Sequence, residues 1–235
     1  IAGQWIEGSG NEIPLYNAVN GELVAISDTE GIDFESALHY GRTVGYKNLS
    51  SMTFYDRGEM LKKVALYLLE RKKKYYELSY KTGATHTDSW VDIEGGFGTF
   101  FTYSGLAKRM LPNTPFWVDG DTQKISANGT FLGTHILTPS EGVSVQINAY
   151  NFPVWGMMEK LSTSLLAGVP SIVKPATPGS YLTNAVFQDM IESGILPEGA
   201  IQLVCGEPGN ILDYVQDGDS VLFTGSASTG KKLKS

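Results

Sequence analysis

Four short apolar segments, separated by stretches with helical spacing, dominate residues 142–235. They begin near positions 143, 171, 201 and 221. Short strands of the buried type that alternate with helices are typical of βαβ units and a parallel sheet. Because crossovers between parallel strands are right-handed, the helices begin at one edge of such a sheet, and this is the edge where nucleotides bind. The sequence therefore predicts an α/β, doubly wound domain over residues 142–235.

The residues before this domain divide into three segments. Residues 1–30 alternate apolar pieces with turn residues, and Asn20-Gly21 between two apolar runs predicts a β-hairpin. Residues 31–111 carry helical patterns, and residues 112–141 are predicted to contain a second hairpin around Asn128-Gly129. Capping residues and apolar spacing predict helices over 33–44, from Thr53 to about Tyr80, from after Asp88 to about Arg109, and over 159–167, 181–191 and 211–215.

Composition excludes several classes of function. The net charge is −7, from 18 basic and 25 acidic residues, which argues against nonspecific nucleic-acid binding. No apolar stretch is long enough for a transmembrane helix, and there is no signal peptide, so we expect a cytoplasmic protein. A single cysteine excludes a disulfide scaffold or a Cys-rich zinc site. The histidines His39, His86 and His135 lack ligand spacing, so no metal site is expected.

Three polar loops follow predicted strands, and none carries a familiar phosphate fingerprint, because Gly-x-Gly-x-x-Gly and Walker A sequences are missing. The loops cover residues 148–153, 174–177 and 223–230. In the first, an amide such as that of Asn151 can stabilise an oxyanion. In the second, Lys174 can bind a ribose hydroxyl or a phosphate, and in the third a helix N-terminus can face an anion. A turn asparagine, a solvated lysine and an N-capping serine are the plainer interpretations.

In this order, the loops resemble the motifs of one enzyme family. Asn151-Phe152-Pro153 resembles its Asn-Phe-Pro motif, Lys174-Pro175 follows at the spacing typical of the family, and Phe223-Thr224-Gly225-Ser226 with Gly230 resembles its Phe-Thr-Gly-Ser-x-x-x-Gly turn. By these motifs the chain is identified as a member of the NAD(P)-dependent aldehyde dehydrogenase superfamily. The resemblance spans the whole chain and implies a Rossmann-like coenzyme domain, an oligomerisation hairpin and a homo-oligomer.

A closer resemblance, to the aldehyde dehydrogenase part of bifunctional phenylacetate-degradation enzymes, rests on several segments. They are Thr82-Gly83-Ala84-Thr85, residues 88–96, Phe101-Thr102-Tyr103, and residues 147–153 with Trp155-Gly156-Met157. In those enzymes a C-terminal MaoC-like hydratase opens oxepin-CoA, and the dehydrogenase oxidises the resulting CoA-linked semialdehyde with NADP⁺. The resemblance implies an aldehyde substrate of this CoA-linked kind. Two alternatives stay open: the semialdehyde dehydrogenase of CoA-dependent benzoate degradation, and a non-catalytic dinucleotide-binding module or truncated reading frame.

The resemblance also implies catalytic roles. In the family a cysteine thiolate attacks the aldehyde, hydride leaves for the nicotinamide, and a glutamate-activated water hydrolyses the thioester. Asn151 matches the residue that stabilises the oxyanion. Lys160 matches a lysine near the active site that serves in proton relay or as an ion-pair partner. Trp90, Asp92 and Glu94 either shape the aldehyde entrance or pack the long helix, and packing is the favoured interpretation.

Coenzyme contacts follow from the same resemblance. Lys174 matches the lysine that binds the adenosine ribose, and Thr177 stands where NAD-preferring members carry a glutamate. Because a small hydroxyl does not repel a 2′-phosphate, we expect NADP as coenzyme, with NAD possible. The expected contact residues are Ile147, Asn148, Ala149, Tyr150, Lys174, Ala176, Thr177, Gly206, Phe223, Thr224, Gly225, Ser226 and Thr229.

The nucleophile of the family is not expected among these residues. Cys205 ends a predicted strand and nothing around it resembles the family's nucleophile loop, so we predict a small buried hydrophobe. The family's catalytic cysteine and glutamate both follow the Phe-Thr-Gly-Ser turn. We therefore expect a C-terminally truncated chain without the catalytic domain, inactive by itself. Part of the oligomer interface is expected at the Asn128-Gly129 hairpin.

Overall fold

The computed structural model describes residues 1–234, and its first elements are a β-hairpin and a short helical stretch. Strands β1 (Ile13–Tyr16) and β2 (Leu23–Ser27) pair antiparallel. The expected turn at Asn20-Gly21 is confirmed, and Gly21 supplies a positive φ of 74° that other residues rarely adopt. Helices α1 (Phe34–Tyr40) and α2 (Tyr46–Ser50) follow and are joined by a π turn at Gly41–Gly45.

Three longer helices then form the helical layer: α3 (Phe54–Leu69), α4 (Lys72–Tyr80) and α5 (His86–Met110). The expected N-cap at Thr53 is confirmed, but a single helix to Tyr80 is wrong. The chain turns at Glu70 and Arg71, and this turn lets α4 bury Tyr75 against Asp189 of a later helix. Helix α5 begins before Asp88, because Thr85 is its N-cap and Asp88 completes the capping box.

A second hairpin separates the helices from the α/β domain. Strands β3 (Trp117–Lys124) and β4 (Leu132–Leu137) pair antiparallel, with Asn128-Gly129 in the turn between them as expected. The hairpin exposes large apolar side chains on a two-stranded sheet that packs little against the rest of the described chain. They are Trp117, Val118, Ile125, Phe131, Leu132, Ile136 and Leu137.

The four-stranded sheet is parallel and confirms the α/β class. Its strands are β5 (Ser144–Ile147), β6 (Ser171–Lys174), β7 (Ile201–Leu203) and β8 (Ser220–Phe223). They lie in the order β7-β6-β5-β8, so the chain moves outward from β5 to β7 and then returns to the other side of β5. The direction of winding therefore changes between β5 and β8, and ligands of doubly wound sheets bind at such a point.

Helices cover both faces of the sheet. Helices α6 (Pro153–Ala167) and α7 (Ser180–Glu192) pack with α3 and α5 in the larger apolar core. Helix α1 and a 3₁₀ turn at Ile211–Tyr214 cover the other face, where an α-helix over 211–215 was expected. Helix α6 starts six residues before the expected Glu159 because Pro153 is suited to a first helical position.

The last described element is α8 (Ala227–Lys234). Among residues 1–234, none of the helices combines the length and the apolar character that crossing a membrane requires.

Candidate functional site

The three polar loops meet at the carboxyl edge of the parallel sheet. The Thr224 N–H donates to the Ile147 carbonyl over 3.0 Å, which ties the loop after β8 to the loop after β5. The Asn148 N–H donates to the Lys174 carbonyl over 3.0 Å, which ties the loop after β5 to that after β6. The sequence analysis expected this grouping, and the structure places it where the winding direction changes.

A cleft of about 300 Å³ opens beside the change of winding. Helix α5 contributes one wall, the start of α6 another, and the loop after β8 closes one end. Its lining consists of Val91, Ala149, Asn151, Phe152, Trp155, Gly156, Glu159 and Thr224. Asn151 is exposed and its amide has no hydrogen-bond partner in the described chain, so the amide is free to donate to a ligand in this cleft. Tyr150 points outward and is 76% exposed.

Asp92 binds the first turn of α6 although it belongs to another helix. The carboxylate, on α5, accepts the N–H of Trp155 over 2.8 Å and the N–H of Val154 over 3.1 Å. It is 4% exposed, and burial raises its pKa to about 6 even though the two N–H groups oppose the shift. Those two N–H groups are therefore not available to a substrate, and Asn151 is the side-chain donor at this end of α6.

Lys160 is not among the residues that line the cleft, although its ammonium contacts two residues that are. The ammonium donates to the Gly156 carbonyl over 3.2 Å and lies 3.4 Å from a Glu159 carboxylate oxygen. Burial lowers the pKa of Lys160, and the charge of Glu159 opposes that shift. Its neighbour Glu159 lines the cleft and accepts the indole N–H of Trp155 over 3.2 Å. Of the two roles expected for Lys160, these contacts favour the ion-pair partner over a group that contacts the aldehyde.

A second group of expected residues assembles at the end of β6. The Lys174 ammonium lies 3.5 Å from the Thr177 hydroxyl, and that hydroxyl donates to the Gly206 carbonyl over 3.1 Å. Ala176 is half-buried in extended backbone and leads into the 3₁₀ turn at Thr177–Gly179. Gly206 has a φ of 130° and packs against the β2 end, where any side chain would meet Thr29 and Ser27.

Glu207 affects the electrostatics of this second group. Burial lowers the pKa of Lys174, and the negative charge of Glu207 opposes the shift. Within residues 1–234, no carboxylate oxygen comes within ion-pair distance of the Lys174 ammonium. Glu207 lines a groove with Thr177, Pro178 and strand β1. Lys174 is therefore a buried cation with free hydrogen-bonding capacity next to an exposed carboxylate.

The turn after β8 is closely packed. Gly225 and Gly230 both lie against the ring of Phe223, where a side chain at Gly225 would come within 2.4 Å of that ring. The Ser226 hydroxyl accepts the Thr229 N–H over 3.1 Å and is an N-cap of α8. Ser226 is therefore an N-capping serine, which is the plainer of the two interpretations of this residue. Its capping bond orients the turn beside Thr224.

One further polar group at the sheet edge is unusual. Asn148 is 5% exposed, and neither its amide nitrogen nor its amide oxygen has a hydrogen-bond partner in the described chain. The side chain lies against Gly156, in the first turn of α6. A buried amide normally has partners, so this residue offers two unused hydrogen-bonding positions directly beneath the cleft.

Cys205 directly precedes Gly206 and is close enough to Lys174 for each group to affect the pKa of the other. Burial raises the pKa of its thiol to about 12, so the nucleophilic thiolate is scarce at neutral pH. The residue is half-buried rather than buried, and it is not among the residues that line the cleft with Asn151. Within residues 1–234, no group of three or more His, Cys, Asp or Glu side chains could hold a metal ion.

Sequence reasoning missed the part played by Asp92, Glu159 and Glu207. Asp92 was expected to pack the long helix, whereas it caps a different helix, and Glu94 instead binds Lys72 and Tyr76 on the outer face of α5. The signal for Asp92 was a carboxylate on the apolar face of α5, beside the glycine pair Gly95-Gly96. That carboxylate can be interpreted as a capping group only when it is known that α6 packs against the two glycines.

Comparisons with known proteins agree with the fold. Residues 5–235 match the sequence model described as the aldehyde dehydrogenase family. A curated relative named 3,4-dehydroadipyl-CoA semialdehyde dehydrogenase, from Aromatoleum evansii, is 38% identical over the whole chain and 45% of its own length.

Two solved structures superpose on the whole chain or nearly so. Betaine aldehyde dehydrogenase from Staphylococcus aureus, in complex with NAD⁺, has a TM-score of 0.81 at 26% identity over 100% of this chain and 46% of its own. NADP-dependent glyceraldehyde-3-phosphate dehydrogenase from Bacillus halodurans, complexed with NADP, has a TM-score of 0.81 at 24% identity over 99% and 49%. The chain thus spans about half the length of the proteins it matches.

Proposed function

Since the chain belongs to the aldehyde dehydrogenase family, we propose that it forms the coenzyme-binding part of an enzyme that oxidises a CoA-linked semialdehyde to the acid with NADP⁺ or NAD⁺. The observation that carries the proposal is the meeting of three loops at one sheet edge. An unpartnered amide (Asn151), a buried cation (Lys174) and a strand-end hydroxyl (Thr224) belong to these loops, which backbone hydrogen bonds tie to one another at Ile147 and Asn148.

In this proposal Asn151 stabilises the developing oxyanion. The Asn151 amide donates to the oxygen of the tetrahedral adduct, and the neutral amide needs no change of protonation to do so. The same cleft is lined by Phe152 and Trp155, which exclude water around the aldehyde carbon. The nicotinamide coenzyme, when bound, accepts the hydride.

The residues of the second group fit the coenzyme. Lys174 has the charge and the free donors for a ribose hydroxyl or a phosphate, and the small Thr177 leaves space beside it. Ile147 to Tyr150 and Phe223 to Thr229 complete the proposed contact surface. We favour NADP⁺ because of Thr177, and Glu207 is the residue that opposes a 2′-phosphate there.

The nucleophile and the general base of the proposed reaction come from sequence outside residues 1–235. Cys205 has a protonated, buried thiol outside the cleft. The chain corresponds to about half of each relative, which leaves room for both groups in the remaining part of such a protein. We expect residues 1–235 by themselves to bind coenzyme without turnover, as a non-catalytic dinucleotide-binding module would.

The substrate class is supported by the relative whose name contains a CoA semialdehyde. We propose first a semialdehyde of aerobic phenylacetate degradation, oxidised by a bifunctional enzyme of the PaaZ type that also carries a MaoC-like oxepin-CoA hydrolase. A semialdehyde of CoA-dependent benzoate degradation is the second candidate. The two differ in whether a hydratase domain accompanies the dehydrogenase.

We also propose a homo-oligomer. The β3–β4 hairpin exposes apolar side chains, among them Phe131, which is 66% exposed, and Leu132, which is 58% exposed. Such exposure is typical of an interface between subunits. Light scattering on the purified protein should give a multiple of the subunit mass, and Phe131→Glu should shift it toward the single-subunit mass.

The test of the function is coenzyme reduction by the protein that contains this chain. We expect a CoA-linked semialdehyde to be oxidised with a higher kcat/KM than the same semialdehyde as a free acid. Asn151→Ala should lower kcat by about 10²-fold to 10³-fold, the usual loss for one oxyanion donor. Asn48→Ala, whose amide binds the Glu198 carbonyl at the surface, is the matched control and should leave kcat unchanged. Equal kcat values for Asn151→Ala and Asn48→Ala would exclude the assigned role.

A further inference from the structure

Helix α6 begins without a capping residue of its own. Its N-cap position, Phe152, makes no side-chain capping bond, and Pro153 at the first helical position has no N–H. The next two N–H groups, of Val154 and Trp155, both donate to Asp92, and the Gly156 N–H donates to the Phe152 carbonyl. Every donor of this first turn is therefore satisfied, and two of them depend on one side chain from another helix.

The loop that carries Asn151 is held only at its ends. Its first end is fixed by the bond from the Asn148 N–H to the Lys174 carbonyl. The backbone N–H groups of residues 149–152 have no hydrogen-bond partner in the described part of the chain. The other end is the first turn of α6, where Asp92 accepts two N–H groups and the Thr183 hydroxyl donates to the Pro153 carbonyl over 3.2 Å. The position of the Asn151 amide in the cleft therefore depends on that turn, whose N–H groups Asp92 binds.

Helix α5 is built to bring Asp92 close to α6. A side chain at Gly96 would come within 3.1 Å of the Trp155 backbone, and one at Gly95 within 2.3 Å of the Trp155 ring. The two glycines thus permit the close approach that the bonds from Asp92 require. Because α5 runs over 25 residues and packs against both α3 and α6, the carboxylate is presented by a rigid element.

We propose that Asp92 is a positioning residue, whose carboxylate fixes the first turn of α6 and through it the direction of the Asn151 amide in the cleft. Asp92 is not itself among the residues that line the cleft, so it acts through the turn that it binds and through Asn151. The proposal adds a positioning residue to the proposed function. Only its kinetic consequence rests on that function. Its structural consequence, a helix turn whose N–H groups are held by one carboxylate, can be measured separately.

The kinetic test uses Asp92→Asn and Asp92→Ala in the protein that contains this chain. Asp92→Asn keeps one acceptor oxygen, so we expect kcat to fall in the order wild type, Asn variant, Ala variant. The loss for Asp92→Ala should be about 10-fold to 100-fold, as for a small misplacement of a reacting group, while the KM for coenzyme stays within about twofold. Asp189→Asn is the matched control, since Asp189 is also buried but binds Lys74 and Tyr75 away from the cleft.

A double variant separates positioning from a general loss of structure. If Asp92 acts through Asn151, Asp92→Ala should reduce kcat little further in an Asn151→Ala background. Multiplied losses in the double variant would overturn the proposal. A kcat loss in Asp189→Asn as large as that in Asp92→Ala would overturn it as well.

Hydrogen exchange provides the readout that does not depend on activity. We expect Asp92→Ala to speed the exchange of the Val154, Trp155 and Gly156 amides at least about tenfold, with the rest of α6 and the sheet unchanged. Asp189→Asn should leave residues 149–156 unchanged. Protection that is equal in wild type and Asp92→Ala would refute the positioning role. A protein that shows the local exchange effect but oxidises no aldehyde would refute the proposed function alone.

Discussion

The buried carboxyl of Asp92 should give the protein a pH-dependent stability of defined sign. In the folded protein its pKa is about 6, and the reference value for an exposed aspartate is 3.8. Between these values the folded protein keeps a proton that the unfolded chain has released. The free energy of unfolding must therefore fall as the pH rises through this window. Asp92→Asn removes the titrating group and with it this contribution.

The size of the change in the free energy of unfolding follows from the pKa shift of Asp92. A difference of about 2 pKa units corresponds to about 3 kcal/mol at most, of which roughly 2 kcal/mol should be gained or lost between pH 4.5 and 7.5. No charged side chain contributes to the shift, which comes from burial and is opposed by two backbone N–H groups. The stability of Asp92→Asn relative to wild type should therefore improve by this amount as the pH is raised.

Urea unfolding at several pH values, followed by tryptophan fluorescence, measures the difference directly. The control is Asp219→Asn, because the pKa of Asp219 is lowered through its bonds to Arg42 and to the backbone N–H groups of Gln216 and Val143. A carboxylate of that kind contributes its stability above the unfolded pKa and loses it only as the pH falls through the folded pKa. The difference in the free energy of unfolding between Asp219→Asn and wild type should thus stay constant above about pH 5. Parallel pH curves for wild type and Asp92→Asn would refute the reasoning.

Three further predictions concern other parts of the chain. Cys205→Ala should keep kcat within about twofold, since the thiol is buried with a pKa of about 12, and a loss near 10³-fold would show that Cys205 is a nucleophile. Glu207→Gln should tighten NADP⁺ binding by about 3-fold to 10-fold in calorimetry and tighten NAD⁺ binding less, an effect that added salt reduces. Gly45→Ala should lower the free energy of unfolding by about 1–3 kcal/mol, because its side chain would lie 2.2 Å from the Gly199 carbonyl oxygen; Gly179→Ala has open space and is the neutral comparison.

The sheet and its edge could be predicted because their signals are local. A run such as Ser171-Ile172-Val173 specifies a buried strand by itself, and the loop after each strand must lie at the same edge of a parallel sheet. The start of α6 could not be predicted in this way. Its seven residues from Phe152 to Met158 include no capping side chain, and the missing cap comes from Asp92, 60 residues earlier in the chain. The break between α3 and α4 has the same origin, since Tyr75 reaches a partner more than a hundred residues away.

The capping bonds also account for the missing glycine fingerprint. In doubly wound folds that carry it, phosphate binds at the free N–H groups of a helix N-terminus. Here the first N–H groups of α6, after β5, are already bound by Asp92, and in α8, after β8, the Ser226 hydroxyl accepts the Thr229 N–H. In the proposed function a dinucleotide at this edge therefore also draws on side chains from strand ends, and Lys174 is the buried cation available there. A lysine and a hydroxyl after β6 can then replace the glycines that a phosphate-binding helix would need after β5.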